Sequence, residues 1–242
     1  MTDITKSKMN EFSYGEWASY FALNDTQRLV IDFSQEKELT PQERKLIFPS
    51  VRAFSKGEGS DGAYLMKTVE SFIRESGEKD YSRAMKLFIK EENFHSAYLK
   101  EYMDHYGVEP LSSSFLDSVF RKLRKAGGLK CEVTILVTAE MIALTYYDAL
   151  SECTDSPVLK KICTQMLHDE LPHIMFQSYT LSHFEVRKID KLFRAFAMRI
   201  TTFFVYCAFH KVLKTGGYNL RKFSKENMGY LKQSIYLSER NS

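Results

Sequence analysis

The chain reads as all-α: a bundle of four long helices with a long crossover between the second and third, carrying helical extensions at both ends. Three observations predict this. Apolar residues recur at three- and four-residue spacings over most of the 242 residues. Period-two alternation is scarce and β-branched runs are short. Turn-forming clusters fall where such helices would have to end.

The residues before Thr40 form one or two short helices anchored by Trp17, Tyr20 and Phe21. Thr40-Pro41-Gln42-Glu43 opens the first long helix, with Thr40 as N-cap, Pro41 at the first helical position and Glu43 closing a capping box. Pro49 is expected to interrupt this helix, with Ser50 capping a continuation to about Glu75. Ser76-Gly77-Glu78-Lys79 is a turn, and Asp80 is expected to cap a second helix over 81–106. The crossover follows, holding a short helix near 115–125. A third helix covers 130–151. Pro157 starts a fourth, reaching about His183. A further helix spans 186–213 up to Gly216-Gly217, and a short last one follows Ser224. Three regions result: an extension over 1–40, the bundle over 41–184 and a second extension over 185–242.

Composition narrows the class. Apolar residues make up 44% and charged residues 27%, with 11 Gly and 5 Pro, which excludes a wholly disordered or collagen-like chain. The four cysteines, Cys131, Cys153, Cys163 and Cys207, form no CxxC pair and no zinc spacing, so reduced thiols are expected. The first twelve residues are polar, with no apolar signal region. The longest apolar run, around 200–209, falls short of the ~18–20 residues of a spanning helix. A soluble, cytoplasmic protein is the expectation.

Charge is unevenly spread. Residues 185–242 carry twelve Lys/Arg against four Asp/Glu, a balance of +8, which leaves −5 for the rest of a chain whose net charge is +3. This basic region reads either as solvated helix faces or as a surface for an acidic partner protein, nucleic acid or an anionic membrane. It contains no recognisable nucleic-acid module. Within it, Phe196, Ile200, Phe203, Phe204 and Cys207 form an apolar stripe that packs on the bundle or makes a homodimer.

Two Glu-x-x-His motifs carry the chemistry: Glu92-Asn93-Phe94-His95 and Glu170-Leu171-Pro172-His173. Residues three apart on a helix share a face, so each motif aims a carboxylate and an imidazole the same way. One motif means little. Both, however, interrupt mostly apolar stripes: Met85, Phe88, Glu92, His95 and Leu99 on one helix, and Cys163, Met166, Glu170, His173 and Gln177 on the other. Buried carboxylates are costly unless paired or bound to metal.

The other two long helices should each add a carboxylate. Glu140 stands in the apolar stretch 133–144. On the first helix, hairpin geometry selects Glu58, because the midpoint of Glu58 and Glu92 falls at the edge of the 76–79 turn. Asp61, one turn on, is the reserve ligand. Tyr147, two turns beyond Glu140 on the same face, either lines an oxidant pocket or is simply core. Glu91 and Asp169 directly precede the motif glutamates. As hypotheses, Asp169 accepts the free N–H of His95, and Glu91 that of His173.

With one Glu from each of two helices and a Glu-x-x-His from each of the others, residues 50–183 resemble the ferritin-like di-iron carboxylate superfamily, which includes rubrerythrins, bacterioferritins and di-iron oxygenases. The resemblance implies two iron ions, an iron/manganese pair being the variant. It implies Glu58 and Glu140 as terminal ligands, Glu92 and Glu170 as bridges, and His95 and His173 as one ligand to each metal. It further implies an O2-activating oxidase or oxygenase with a small organic substrate and a separate electron donor. Iron oxidation or peroxide defence, as in ferritins and rubrerythrins, is the alternative. A bundle with a merely structural metal site is the third class.

Overall fold

The structure is a computed structural model that describes residues 1–59, 62–112 and 127–240. Among these residues the chain is all-helical, with no strand. Two short 3-10 turns, Ile4–Lys6 and Lys8–Glu11, precede α1 (Tyr14–Asn24). Then come α2 (Pro41–Glu58), α3 (Ala63–Ser76), α4 (Asp80–His105), α5 (Gly128–Glu152), α6 (Pro157–Leu181), α7 (Lys188–Thr215) and α8 (Leu220–Glu239). The expected crossover helix near 115–125 lies outside the described residues, as does Asp61.

Local chemistry explains four of the starts. Thr40 and Glu43 form the expected reciprocal cap of α2, with Glu43 N–H donating to Thr40 Oγ1 at 3.2 Å and Thr40 N–H to Glu43 Oε2 at 2.8 Å. Ser13 and Glu16 do the same for α1. Ser156 Oγ accepts from Leu159 N–H to cap α6, where Pro157 fills the first position. Asn219 caps α8 by accepting from Lys222 N–H at 2.8 Å.

Several expectations are corrected. Pro49 does not interrupt α2, which runs through it. Ser50 donates to Ile47 C=O within the helix and caps nothing. The break falls later, after Glu58, so the first long helix is two helices. Asp80 is the first residue of α4 and not its cap; that position belongs to Lys79, which makes no side-chain capping bond. The last helix is not short but spans twenty residues. Two helices, α5 and α7, are long and apolar enough to cross a membrane by length and composition, contrary to the expectation from the apolar runs. The relevant stretch of α5 is 83% buried in the fold, whereas that of α7 is only 33% buried.

The chain divides into two compact units. One comprises residues 11–31 and 51–132, the other residues 1–10, 32–50 and 133–242, with the boundaries inside α2 and α5. In the first unit, α1 and α3 pack on α4. Trp17, Phe21, Phe72, Tyr81, Met85 and Phe88 are buried there. Two contacts fix α1 to α4: Asn24 Nδ2 donates to Glu91 Oε1 at 2.9 Å, and Lys90 Nζ lies 2.7 Å from Asp25 Oδ2.

In the second unit, α8 packs on α6 and α7. Its seams are polar. Thr145 of α5 donates to Asn227 Oδ1 at 2.7 Å, Asn227 Nδ2 donates to Thr202 of α7 at 3.4 Å, and the Ser178 and Ser234 hydroxyls pair at 2.6 Å. The chain start is held on α8 by Ile4 N–H donating to Gln233 Oε1 at 2.7 Å.

Candidate metal centre

On α4, Glu92 and His95 sit one turn apart, as their spacing requires. His95 is fully buried and Glu92 half-buried. Glu92 Oε1 lies 3.8 Å from His95 Nδ1. The neighbouring apolar residues of that stripe, Met85, Phe88 and Leu99, are buried too, which is what turns the motif inward.

On α6, Glu170 and His173 are both fully buried, and Glu170 Oε2 lies 3.6 Å from His173 Nδ1. Glu140 of α5, 3% exposed, brings its Oε2 to 3.9 Å from the same nitrogen. Two carboxylates therefore flank one imidazole nitrogen inside the second unit.

One ligand atom from each of Glu92, His95, Glu170 and His173 can be chosen so that all lie within 4.8 Å of one another, a group able to hold a metal ion. The donor set fits this. Nitrogen–oxygen separations of 3.6–3.9 Å are too long for hydrogen bonds, which centre near 3 Å. They suit groups that share a cation, since metal–ligand bonds of about 2 Å allow two ligands to stand up to about 4 Å apart. Ionised carboxylates buried beside imidazoles are costly unless a positive charge lies nearby.

Glu58 is the last residue of α2 and half-buried. A carboxylate there faces the negative end of the helix dipole, an unfavourable place that a cation relieves. The end of α2 is tied to α4 beside His95. Ser55 Oγ donates to Ser96 C=O at 3.2 Å, and Ser96 Oγ donates to Ser55 C=O at 2.7 Å. A Cβ on Gly59 would come within 3.1 Å of Ser96 Oγ, so the glycine permits the approach.

Glu91 accepts from Asn24, as above. Asp169 is buried and accepts from Gln165 Nε2 at 3.0 Å to each carboxylate oxygen, with His168 Nδ1 also 3.0 Å away. Tyr147 is fully buried, its ring edge-on to Tyr146 at 5.0 Å.

Two residues without an expected role stand out. Glu132 of α5, 1% exposed, accepts from Thr68 Oγ1 at 3.2 Å. Gln177, one turn past His173, is fully buried, and neither atom of its amide finds a hydrogen-bond partner among the described residues. The only hint of either in the sequence is a polar residue in an apolar stretch.

Cysteine takes no part in the donor group. None of the four cysteines forms a disulfide among the described residues, and burial pushes Cys153 up to about 12 and Cys163 higher still, so both remain protonated. Comparison with protein-family models, with curated proteins and with solved structures gives no match.

Proposed function

We propose that this chain is an O2-activating oxidoreductase of the di-iron carboxylate type, with α2–α3, α4, α5 and α6 forming a four-helix bundle around two iron ions, or one iron and one manganese. The observation that carries the reading is the Glu92–His95–Glu170–His173 group, with Glu140 beside His173. Glu58 completes the ligand set in this account, and Asp61 stands in reserve. Four carboxylates balance two divalent cations, and imidazole with carboxylate suits iron or manganese better than thiolate would. When bound, such a metal pair supplies the electrons that activate O2 for oxidation of a neighbouring organic substrate.

The chain's own residues do the rest. Nδ1 of His95 lies 3.8 Å from Glu92 Oε1 and Nδ1 of His173 3.6 Å from Glu170 Oε2, so in this account Nδ1 offers its lone pair and the proton stays on Nε2. Asp169 and Glu91 are the groups proposed to accept that proton's hydrogen bond and so hold each tautomer. Burial of His95, Glu170 and His173 limits water at the reacting centre in this account. Tyr147 is the proposed pocket phenol. A separate donor protein supplies the remaining electrons.

The test is anaerobic loading with ferrous iron followed by O2. Rapid O2 consumption with a new visible absorption band, and loss of an added organic substrate, supports the oxidase reading. Iron retained with no O2 uptake indicates a structural metal site. O2 or peroxide consumption that yields only ferric mineral, in a shell of many subunits, indicates storage or peroxide defence.

A further inference from the structure

Among the described residues, a run of exposed large apolar side chains lies on α7. Ile189, Leu192, Phe193, Phe196, Ile200, Phe203 and Phe204 are 42–66% exposed. Their spacing of three, four and seven residues puts them on one face. From 189 to 204 the stripe is about 22 Å long at 1.5 Å per residue. Continuous exposed apolar surface of this kind marks a docking site.

The opposite face of α7 is committed. Arg194 is 4% exposed, and its guanidinium donates to Ser234 Oγ at 2.6 Å and Ser238 Oγ at 3.2 Å on α8. Met198, Thr201, Thr202 and Val205 are buried on that side. A helix pinned along one face by a neighbour with exposed charges cannot span a bilayer. It can lie in the plane of one.

Charge selects the occupant. Arg199 stands three residues after Phe196 and four before Phe203, directly beside the stripe, and Lys188 lies one turn before Leu192. Lys211 and Lys214 extend the basic character past the stripe's end, and all four side chains are exposed. The one acid of α7, Asp190, is bound to the Arg187 main chain at 2.9 Å. Pairing two copies of this face would set cation against cation. An anionic lipid surface complements both the apolar stripe and its basic margin.

We infer that α7 is an interfacial anchor that seats the protein on anionic lipid bilayers. The stripe enters the headgroup boundary and the basic residues meet lipid phosphates. The exposed chemistry of α7 stands independently of the metal centre.

The experiment is co-sedimentation of the full chain with phosphatidylcholine vesicles and with phosphatidylcholine/phosphatidylglycerol vesicles, alongside sedimentation velocity without lipid. The chain should partition about tenfold or more in favour of the anionic vesicles, and high salt should weaken this. Phe196→Glu/Phe203→Glu should abolish binding while helical circular dichroism is retained. Should that variant fail to fold, Lys188→Glu/Arg199→Glu, confined to exposed positions, should remove the anionic preference. Equal binding to both vesicle types, or full binding by either variant, overturns the inference. So does a stable dimer that the phenylalanine variant dissociates in the absence of any vesicle binding, which would make the stripe a self-association surface.

Discussion

Ser55 and Ser96 clasp one another, each hydroxyl donating to the other's main-chain carbonyl oxygen, at 3.2 and 2.7 Å. The clasp ties the residue that follows the motif histidine His95 to the last turn of α2, which carries Glu58. Each such bond contributes about 1 kcal/mol. Ser55→Ala/Ser96→Ala should therefore lose about 2 kcal/mol in urea unfolding, about half of it in each single variant. It should also weaken metal binding without removing any ligand. Unaltered metal affinity in a destabilised variant would separate the clasp from the site.

Gly62 opens α3 with φ of +63°, where a Cβ would lie 2.6 Å from Ile89 Cδ1. The isoleucine tip can yield, so the backbone conformation is the larger cost. Gly62→Ala should lower stability by about 1–3 kcal/mol. Adding Ile89→Ala should not restore it. Full rescue would show that the side-chain collision dominates.

Gln177 buries an amide that has no hydrogen-bond partner among the described residues. An apolar side chain of similar shape removes that desolvation cost. Gln177→Leu should hold or raise the melting temperature of the metal-free protein, by about 2–4 °C for each kcal/mol gained. A clear fall would mean that the amide serves the fold.

Hydrogen bonds from Lys90, and then from Arg28, hold the Asp25 carboxyl below its usual range. A lowered folded-state value means that the folded chain binds fewer protons than the unfolded one. The stability is thus present above the ordinary aspartate value of about 3.9 and is lost as pH falls through the lower one. The pair is largely solvent-exposed, so Lys90→Met should cost at most about 1 kcal/mol at neutral pH. That cost should vanish in acid. A penalty that is the same at both pH values would assign Lys90 a packing role instead.

Much of this was legible in the residues, and the exceptions have physical causes. Thr40/Glu43 and Ser156/Pro157 mark helix starts because their capping chemistry is local. The Glu-x-x-His pairs are visible because a three-residue spacing fixes a shared face in any helix. Pro49 misleads because an interior proline can be tolerated when the same helix buries Ile47, Phe48 and Val51. The break after Glu58 falls at Gly59 and Gly62, where an added Cβ would crowd Ser96 and Ile89, neighbours distant in sequence. The last helix is longer than the short one expected after Ser224 because Asn219, five residues earlier, caps it. The exposure of α7 is a tertiary fact: the periodicity shows an apolar stripe but not whether anything covers it.

The most direct measurement is anaerobic titration of the chain with ferrous iron, read by metal content after gel filtration. The account predicts about two equivalents per chain. It also predicts loss of at least one in His95→Ala and in His173→Ala, each with its helical content intact. Iron content near zero, or unchanged content in both histidine variants, would contradict it.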